Sequence, residues 1–308
     1  MTEPVSYYGR PIVKEPVWKP EIPTYFFTGG LAGASATLTL AARLAGNDVL
    51  ARRALLVNTA AIIVSPALLI KDLGRPMRFL NMLRVFKVTS PMSLGTWIVS
   101  ASGTASGIGA TCEVLGILPR VKAAAETVAG LLGPFLSTYT AALVSDSVVP
   151  VWHGARRELP FVFAGSSCAS AGGAVAMFTP CAFAGPARRL AVVGAALELA
   201  ATKAMEDRLG DLVGEPYHED SGGMYAKAAK AATAAGGLLM AVAGRKRLGA
   251  IAAGSLLMAG AACQRFAVYH AGKQSARDPR YTSIPQRQRR STAKSPPTSA
   301  RPTTSHAT

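Results

Sequence analysis

The sequence predicts an all-α integral membrane protein with about eight transmembrane helices. Three observations carry that expectation. Half of the 308 residues are hydrophobic and only 16% are charged, against about 25% charged in an ordinary soluble domain. The charges fall in short clusters between long uncharged runs. Those runs are continuous and close to the roughly 20 residues that a helix needs to cross hydrocarbon, whereas barrel strands alternate in polarity at every second residue. The net charge of +16 would suit a nucleic-acid binder only if it were spread over a polar surface. A soluble enzyme and a nucleic-acid partner are therefore both excluded.

Residues 1–23 are polar, rich in Pro and Tyr, and carry Arg10, Lys14 and Lys19. No apolar stretch follows Met1, so this segment reads as interfacial rather than as a cleaved leader. The expected spans are 24–44, 54–70, 93–118, 127–149, 159–179, 190–205, 228–244 and 248–269. The second, sixth and seventh are short or interrupted. The helices are rich in Ala and Gly. Gly29, Gly30 and Gly33, and then Gly103 with Gly107, form small-residue faces that allow close helix approach. Residues 273–308 are basic, and beyond Tyr281 they are rich in Ser, Thr, Pro and Arg, a composition that cannot bury a core and reads as a disordered tail.

Eight spans place both termini on one side. That side carries twenty assignable basic residues and the opposite side ten, which orients both termini toward the cytoplasm. Cys112, Cys168, Cys181 and Cys263 form no C-x-x-C pair. No thiolate-bound iron–sulfur or zinc centre is expected in this chain. His153, His218, His270 and His306 all lie outside the span centres, which argues against a bis-histidine haem.

Charges within spans point to function or to pairing. Asp146, near the end of the fourth span, reads either as a proton carrier or hydrogen-bond acceptor, or as a carboxylate paired with a loop residue such as Arg156. Glu198 reads as the partner of a neighbouring helix, or as a sign that the sixth span is shorter than drawn. Two loops on the more basic side are dense in charge and proline. One contains Asp72, Arg75, Arg78, Asn81, Arg84 and Lys87, and Asp72 with Arg75 could form an interfacial ion pair. The other contains Trp152, His153, Arg156 and Arg157. Trp18, Trp97 and Trp152 suit interface anchors.

At these loops the sequence resembles a known family. Ile22-Pro23-Thr24-Tyr25-Phe26-Phe27-Thr28-Gly29-Gly30-Leu31-Ala32-Gly33 resembles the first helix of the NrfD-like family, the polysulfide reductase membrane subunits. Asp72-Leu73-Gly74-Arg75-Pro76 with Arg78-Phe79-Leu80-Asn81-Met82 resembles its second-helix motif, and Thr89-Ser90-Pro91-Met92-Ser93-Leu94-Gly95-Thr96-Trp97 its third-helix entry. The loop from Trp152 to Pro160 and Asp278-Pro279-Arg280-Tyr281 resemble actinobacterial members.

The resemblance implies two four-helix bundles, residues 24–150 and 151–272, with a quinone site in the first. It implies a membrane anchor in the plasma membrane that is not catalytic alone. Such an anchor holds no haem or metal and binds a quinone, menaquinone being the expectation. It exchanges electrons with a partner carrying [4Fe–4S] clusters, which serves a molybdopterin catalytic subunit. The matching quinone and proton-relay positions are Tyr25, Thr28, Asp72, Arg75, Asn81 and Asp146. Arg78, Arg84, Lys87, Trp152, His153, Arg156 and Arg157 are candidates for docking the partner. The family's first-helix His has no counterpart here. Two other readings remain open at this point. One is a proton- or ion-translocating protein using Asp146 and Glu198, and the other is a purely structural tether. Membrane lipid is a partner on every reading.

Overall fold

The computed structural model describes residues 11–75 and 77–294. Its helices are α1 (Glu21–Leu44), α2 (Asp48–Leu73), α3 (Met77–Met82), α4 (Pro91–Leu115), α5 (Pro119–Ser145), α6 (Pro150–Gly154), α7 (Leu159–Phe178), α8 (Gly185–Gly214), α9 (Asp220–Ala243), α10 (Arg247–Arg277) and α11 (Arg280–Lys294). The eight long helices α1, α2, α4, α5 and α7 to α10 correspond to the eight expected spans. Four of them, α2, α5, α7 and α10, are long and apolar enough to cross a membrane by length and composition.

Local chemistry sets the ends. Asn47 caps α2 by accepting a hydrogen bond from Leu50 N at 3.1 Å. Gly74 ends that helix in the left-handed region at φ 69°, a conformation that costs glycine little. Ser90 caps α4, and Pro91 occupies its first turn, where no backbone donor is needed. Helix α8 runs to Gly214, with a non-helical Gly210 at φ 67°. The sixth span is therefore longer than the apolar run suggests, and Glu198 lies near its middle.

Helices α1, α2, α4 and α5 pack chiefly on one another, as do α7 to α10, with α1 and α7 joining the two groups. Glycine permits the closest crossings. A methyl on Gly33 would collide with the Gly133 carbonyl of α5, and one on Gly30 with Ser167 of α7. The Gly103/Gly107 pair behaves differently. Gly103 has only Ile62 nearby, at 3.7 Å from a would-be methyl, and Gly107 has nothing within 4 Å. That face is not a tight helix contact.

The chain ends of the helices form two faces. One, the basic face, holds the N-terminal segment, α3, α6 and α11. At the far face, Arg43 gathers Asp48 (2.6 Å), Glu113 (2.8 Å) and the buried Glu126 (3.0 Å), and Lys122 meets Glu113 at 2.9 Å. This cluster ties α1, α2, α4 and α5 together. The tail is more ordered than its composition suggests. Helix α10 continues to Arg277, and Asp278 accepts a hydrogen bond from Arg280 N at 2.8 Å to start α11. The Asp-Pro pair is thus a helix start rather than the onset of disorder. The remainder of the tail lies outside the described residues.

Candidate functional site

At the basic end of α1, α2, α4 and α5 lies a cavity of about 80 Å³. Tyr25 and Phe26 reach it from the second turn of α1, Leu69 and Asp72 from the last turns of α2, and Met82 from α3. Met92, Gly95 and Thr96 contribute from the first turns of α4, and Tyr139 from α5. Gly95 explains part of the third-helix motif: a methyl there would collide with the Tyr139 ring. Trp18, from the segment preceding α1, forms another wall.

Trp18 is held by the second bundle. Its ring stacks on Trp152 at 5.3 Å and meets Phe26 edge-on at 6.1 Å. Its carbonyl accepts the Tyr269 hydroxyl at 2.5 Å. Trp152 is 1% exposed and donates its indole N–H to the Val268 carbonyl at 2.7 Å. Glu15 meets Arg277 at 2.8 Å and Lys273 at 3.1 Å. The hydrogen bond from Arg277 holds the Glu15 carboxyl below the usual carboxylate range.

Two of the expected site residues converge here, Tyr25 and Asp72. Tyr25 is 2% exposed, and its hydroxyl has no hydrogen-bond partner among the described residues. A buried donor of this kind is rare without a ligand or water to take it. Asp72 is half-buried and accepts from Lys19 N at 3.4 Å. The other four lie elsewhere. Thr28 is buried but turned to α2, where it accepts from Ser65 Oγ at 2.8 Å. Arg75 and Asn81 are exposed, and no Asp72–Arg75 ion pair forms among the described residues. Asp146 is exposed at the end of α5 and lines a separate cleft of about 490 Å³ with His153, Arg156 and Tyr281.

Of the docking candidates, Arg78, Arg84, Lys87, His153, Arg156 and Arg157 are exposed on the basic face. Trp152 is not available for docking, because the Trp18 stack and α10 cover it. Trp18 and Trp152 are packing partners rather than separate interface anchors. Tyr139, Met82, Met92 and Trp18 were not singled out by sequence reasoning as cavity residues. The signal for Tyr139 was present, as an aromatic residue in an Ala-rich helix.

A second polar group lies inside the second bundle. Arg265, 1% exposed, donates to the Phe163 carbonyl and Ser167 Oγ, each at 3.1 Å, and to the Phe26 carbonyl at 3.4 Å. Its guanidinium covers the Phe163 ring at 3.7 Å. One guanidinium nitrogen, Nη1, has no partner. Arg265 sits well inside α10 rather than at a span end. Glu198, 2% exposed, accepts from Thr233 at 3.4 Å and lies within electrostatic reach of Arg265 without direct contact. Of the two readings of Glu198, the structure shows partners on neighbouring helices. Lys230 likewise pairs with Glu206 at 2.6 Å.

Among the described residues no group of three or more His, Cys, Asp or Glu is placed to hold a metal. No curated protein matches the sequence. The family model described as polysulphide reductase, NrfD, matches residues 12–206. That stretch runs from the N-terminal segment through α7 and most of α8, and it includes every wall of the cavity. A match over more than half the chain, on an all-helical membrane fold, leads to one conclusion: the chain belongs to the NrfD polysulphide reductase family.

Proposed function

We propose that this protein is the quinone-interacting membrane subunit of a molybdopterin/iron–sulfur oxidoreductase. In this reading it passes electrons between a [4Fe–4S] partner and the membrane quinone pool. It lies in the plasma membrane with both termini in the cytoplasm, and the partner docks on the basic face. The observation that carries the reading is Tyr25, a wall of the same cavity as Asp72, whose buried hydroxyl has no hydrogen-bond partner among the described residues.

The residues present fit a quinone. The walls are aromatic and apolar, and the two polar groups are a phenol and a carboxylate. A bound quinone, menaquinone by expectation, would supply the two-electron, two-proton redox chemistry. Tyr25 would donate a hydrogen bond from its hydroxyl, and Asp72 would hold or release a proton at its carboxylate. The cavity is smaller than the several hundred Å³ usual for ligand pockets. Met82 and Met92 are unbranched and able to rearrange, so they are the walls that give way on entry. Exposed Arg78, Arg84, Arg156 and Arg157 suit an acidic partner surface.

The test is quenching of Trp18 fluorescence by a soluble naphthoquinone, in a chain where Trp97 and Trp152 are replaced by Phe. Tyr25→Phe keeps the ring and removes the donor. It should weaken binding about 5- to 10-fold, the worth of one hydrogen bond of about 1–1.4 kcal/mol. Equal binding by wild type and Tyr25→Phe would remove Tyr25 from the site, and absence of quenching in the wild type would favour the structural tether.

A proton-translocating role draws on one specific observation, the buried Glu198 near the incompletely bonded Arg265. Loss of proton flux in proteoliposomes on Glu198→Gln would establish it, and absence of flux in the wild type would remove it. Asp146, exposed at the face, shares no cavity with Glu198 and lends that reading no support.

A further inference from the structure

The far face of the second bundle differs in charge from that of the first. On the first bundle Arg43, Arg52 and Lys122 meet carboxylates within 4.0 Å, while Arg53 and Arg120 form no ion pair among the described residues. On the second, the α7–α8 and α9–α10 connections bring Arg188, Arg189, Arg245, Lys246 and Arg247, and no acidic residue lies between 179 and 197 or between 231 and 263. Among the described residues none of these five forms an ion pair. Like charges kept this close, with no counter-charge from the chain, call for an anion from outside.

The same place holds a cleft of about 520 Å³ between α8 and α9. Arg188, Arg189 and Arg245 line one part of it, and Val192, Val193 and Met240 the other. The Arg188 and Arg189 guanidinium groups converge beside Gly185. A methyl on Gly185 would lie 3.9 Å from Arg188 Nη2 and 4.0 Å from Arg189 Nη2. Arg188 is braced from behind by donating Nη1 to the Cys181 carbonyl at 2.9 Å, which leaves Nη2 free to face the cleft. The first turn of α8 begins at Gly185 with no side-chain cap, so its backbone N–H groups add positive potential at the same spot. Val193 is 65% exposed and continues the apolar wall along the helix away from the arginines.

We infer that this cleft is a binding site for an anionic phospholipid. The phosphate lies among Arg188, Arg189 and Arg245 at the level of the headgroups, and an acyl chain lies along Val192 and Val193 toward the bilayer centre. Free phosphate would satisfy the arginines but would leave the apolar wall without a role, which favours lipid as the source of the anion. Arginine forks suit phosphate oxygens better than a point charge does.

The full chain, purified in mild detergent, is examined by native mass spectrometry with phosphatidylglycerol or phosphatidylcholine added back. The wild type should retain phosphatidylglycerol in preference. The Arg188→Gln/Arg189→Gln/Arg245→Gln variant should bind it on the order of a hundredfold more weakly, at roughly fivefold per arginine near a membrane surface. An Arg53→Gln/Arg120→Gln variant, which removes two exposed charges, unpaired among the described residues, from the far face of the first bundle, should bind nearly as the wild type does. If the triple variant is poorly folded, thermal melting of the wild type decides. Phosphatidylglycerol should raise Tm where phosphatidylcholine and inorganic phosphate at equal concentration do not. Equal retention by the triple variant, equal stabilisation by phosphatidylcholine, or equal stabilisation by inorganic phosphate would each overturn the inference.

Discussion

Replacing Arg265 with Met would remove the only cation among the described residues that bonds to both α1 and α7 from within α10. Three terms set the magnitude. The guanidinium loses its contact with the Phe163 ring, worth about 2 kcal/mol when desolvated. It loses hydrogen bonds to the Phe26 and Phe163 carbonyls and to Ser167 Oγ, but both carbonyl acceptors keep their own helical donors, so this term is small. Glu198 then remains buried without a nearby cation; for a pair that does not touch this costs about 2 kcal/mol, below the roughly 3–5 kcal/mol of a broken contact pair. Relief of the guanidinium's own burial cost offsets part of the sum, and a net loss of about 2–3 kcal/mol is expected. Pairing the change with Glu198→Gln removes the stranded charge. Because the two groups do not touch, the recovery should be about 2 kcal/mol, within the usual range of coupling between neighbours. Unfolding in mixed micelles by titration with a denaturing detergent, on both single variants and the double, gives the cycle. A loss below about 1 kcal/mol for Arg265→Met, or a double variant no more stable than that single, would refute the electrostatic account.

Gly33→Ala should cost about 1–3 kcal/mol by pressing a methyl into the Gly133 carbonyl and Ser137, whereas Gly107→Ala, with open space around it, should leave the melting temperature unchanged or slightly raised. Glu15 titrates below its ordinary value of 4.5 when folded, chiefly through its hydrogen bond with Arg277. Its stabilisation is therefore complete above about 4.5, and is lost as pH falls through the lower folded value. Melting curves of wild type and Glu15→Gln should differ at neutral pH and converge in acid, and a gap that widened in acid would reverse the sign of this argument. Trp152→Phe keeps a ring against Trp18 but loses the donor to Val268 O; it should cost about 1 kcal/mol and sharpen quinone quenching by Trp18, read by fluorescence.

All eight long helices were legible, because an apolar run of the right length has few other fates. Helix ends were less so. Helix α4 ends at Leu115, short of the expected 118, while α5 begins at Pro119, well before the expected 127, and takes in Glu126, which Arg43, far away in sequence, neutralises. Charge counting placed Arg43 in a loop and could not foresee that role. The same blindness hid Arg265, whose partners come from α1 and α7. Of the expected positions, Tyr25 and Asp72 line one cavity, while Thr28, three residues beyond Tyr25, turns away toward Ser65. Motif position says which residues lie near an opening, but the rotation of each helix decides which of them face it. Trp152 was read as a surface anchor because sequence gives no account of the residue stacked on it.

The wall contributed by Trp18 has a consequence for how the protein is made. Trp18 belongs to the part of the chain synthesised first, yet it is held by Trp152, Tyr269 and the Arg277–Glu15 contact. Two of those holds come from α10, the last long helix to leave the ribosome. The cavity cannot close while translation is still under way. A nascent chain stopped after α8 would already contain the whole stretch that marks the family, but its site would remain open. Completion of the Trp18 wall thus waits on insertion of α10, the last of the long helices.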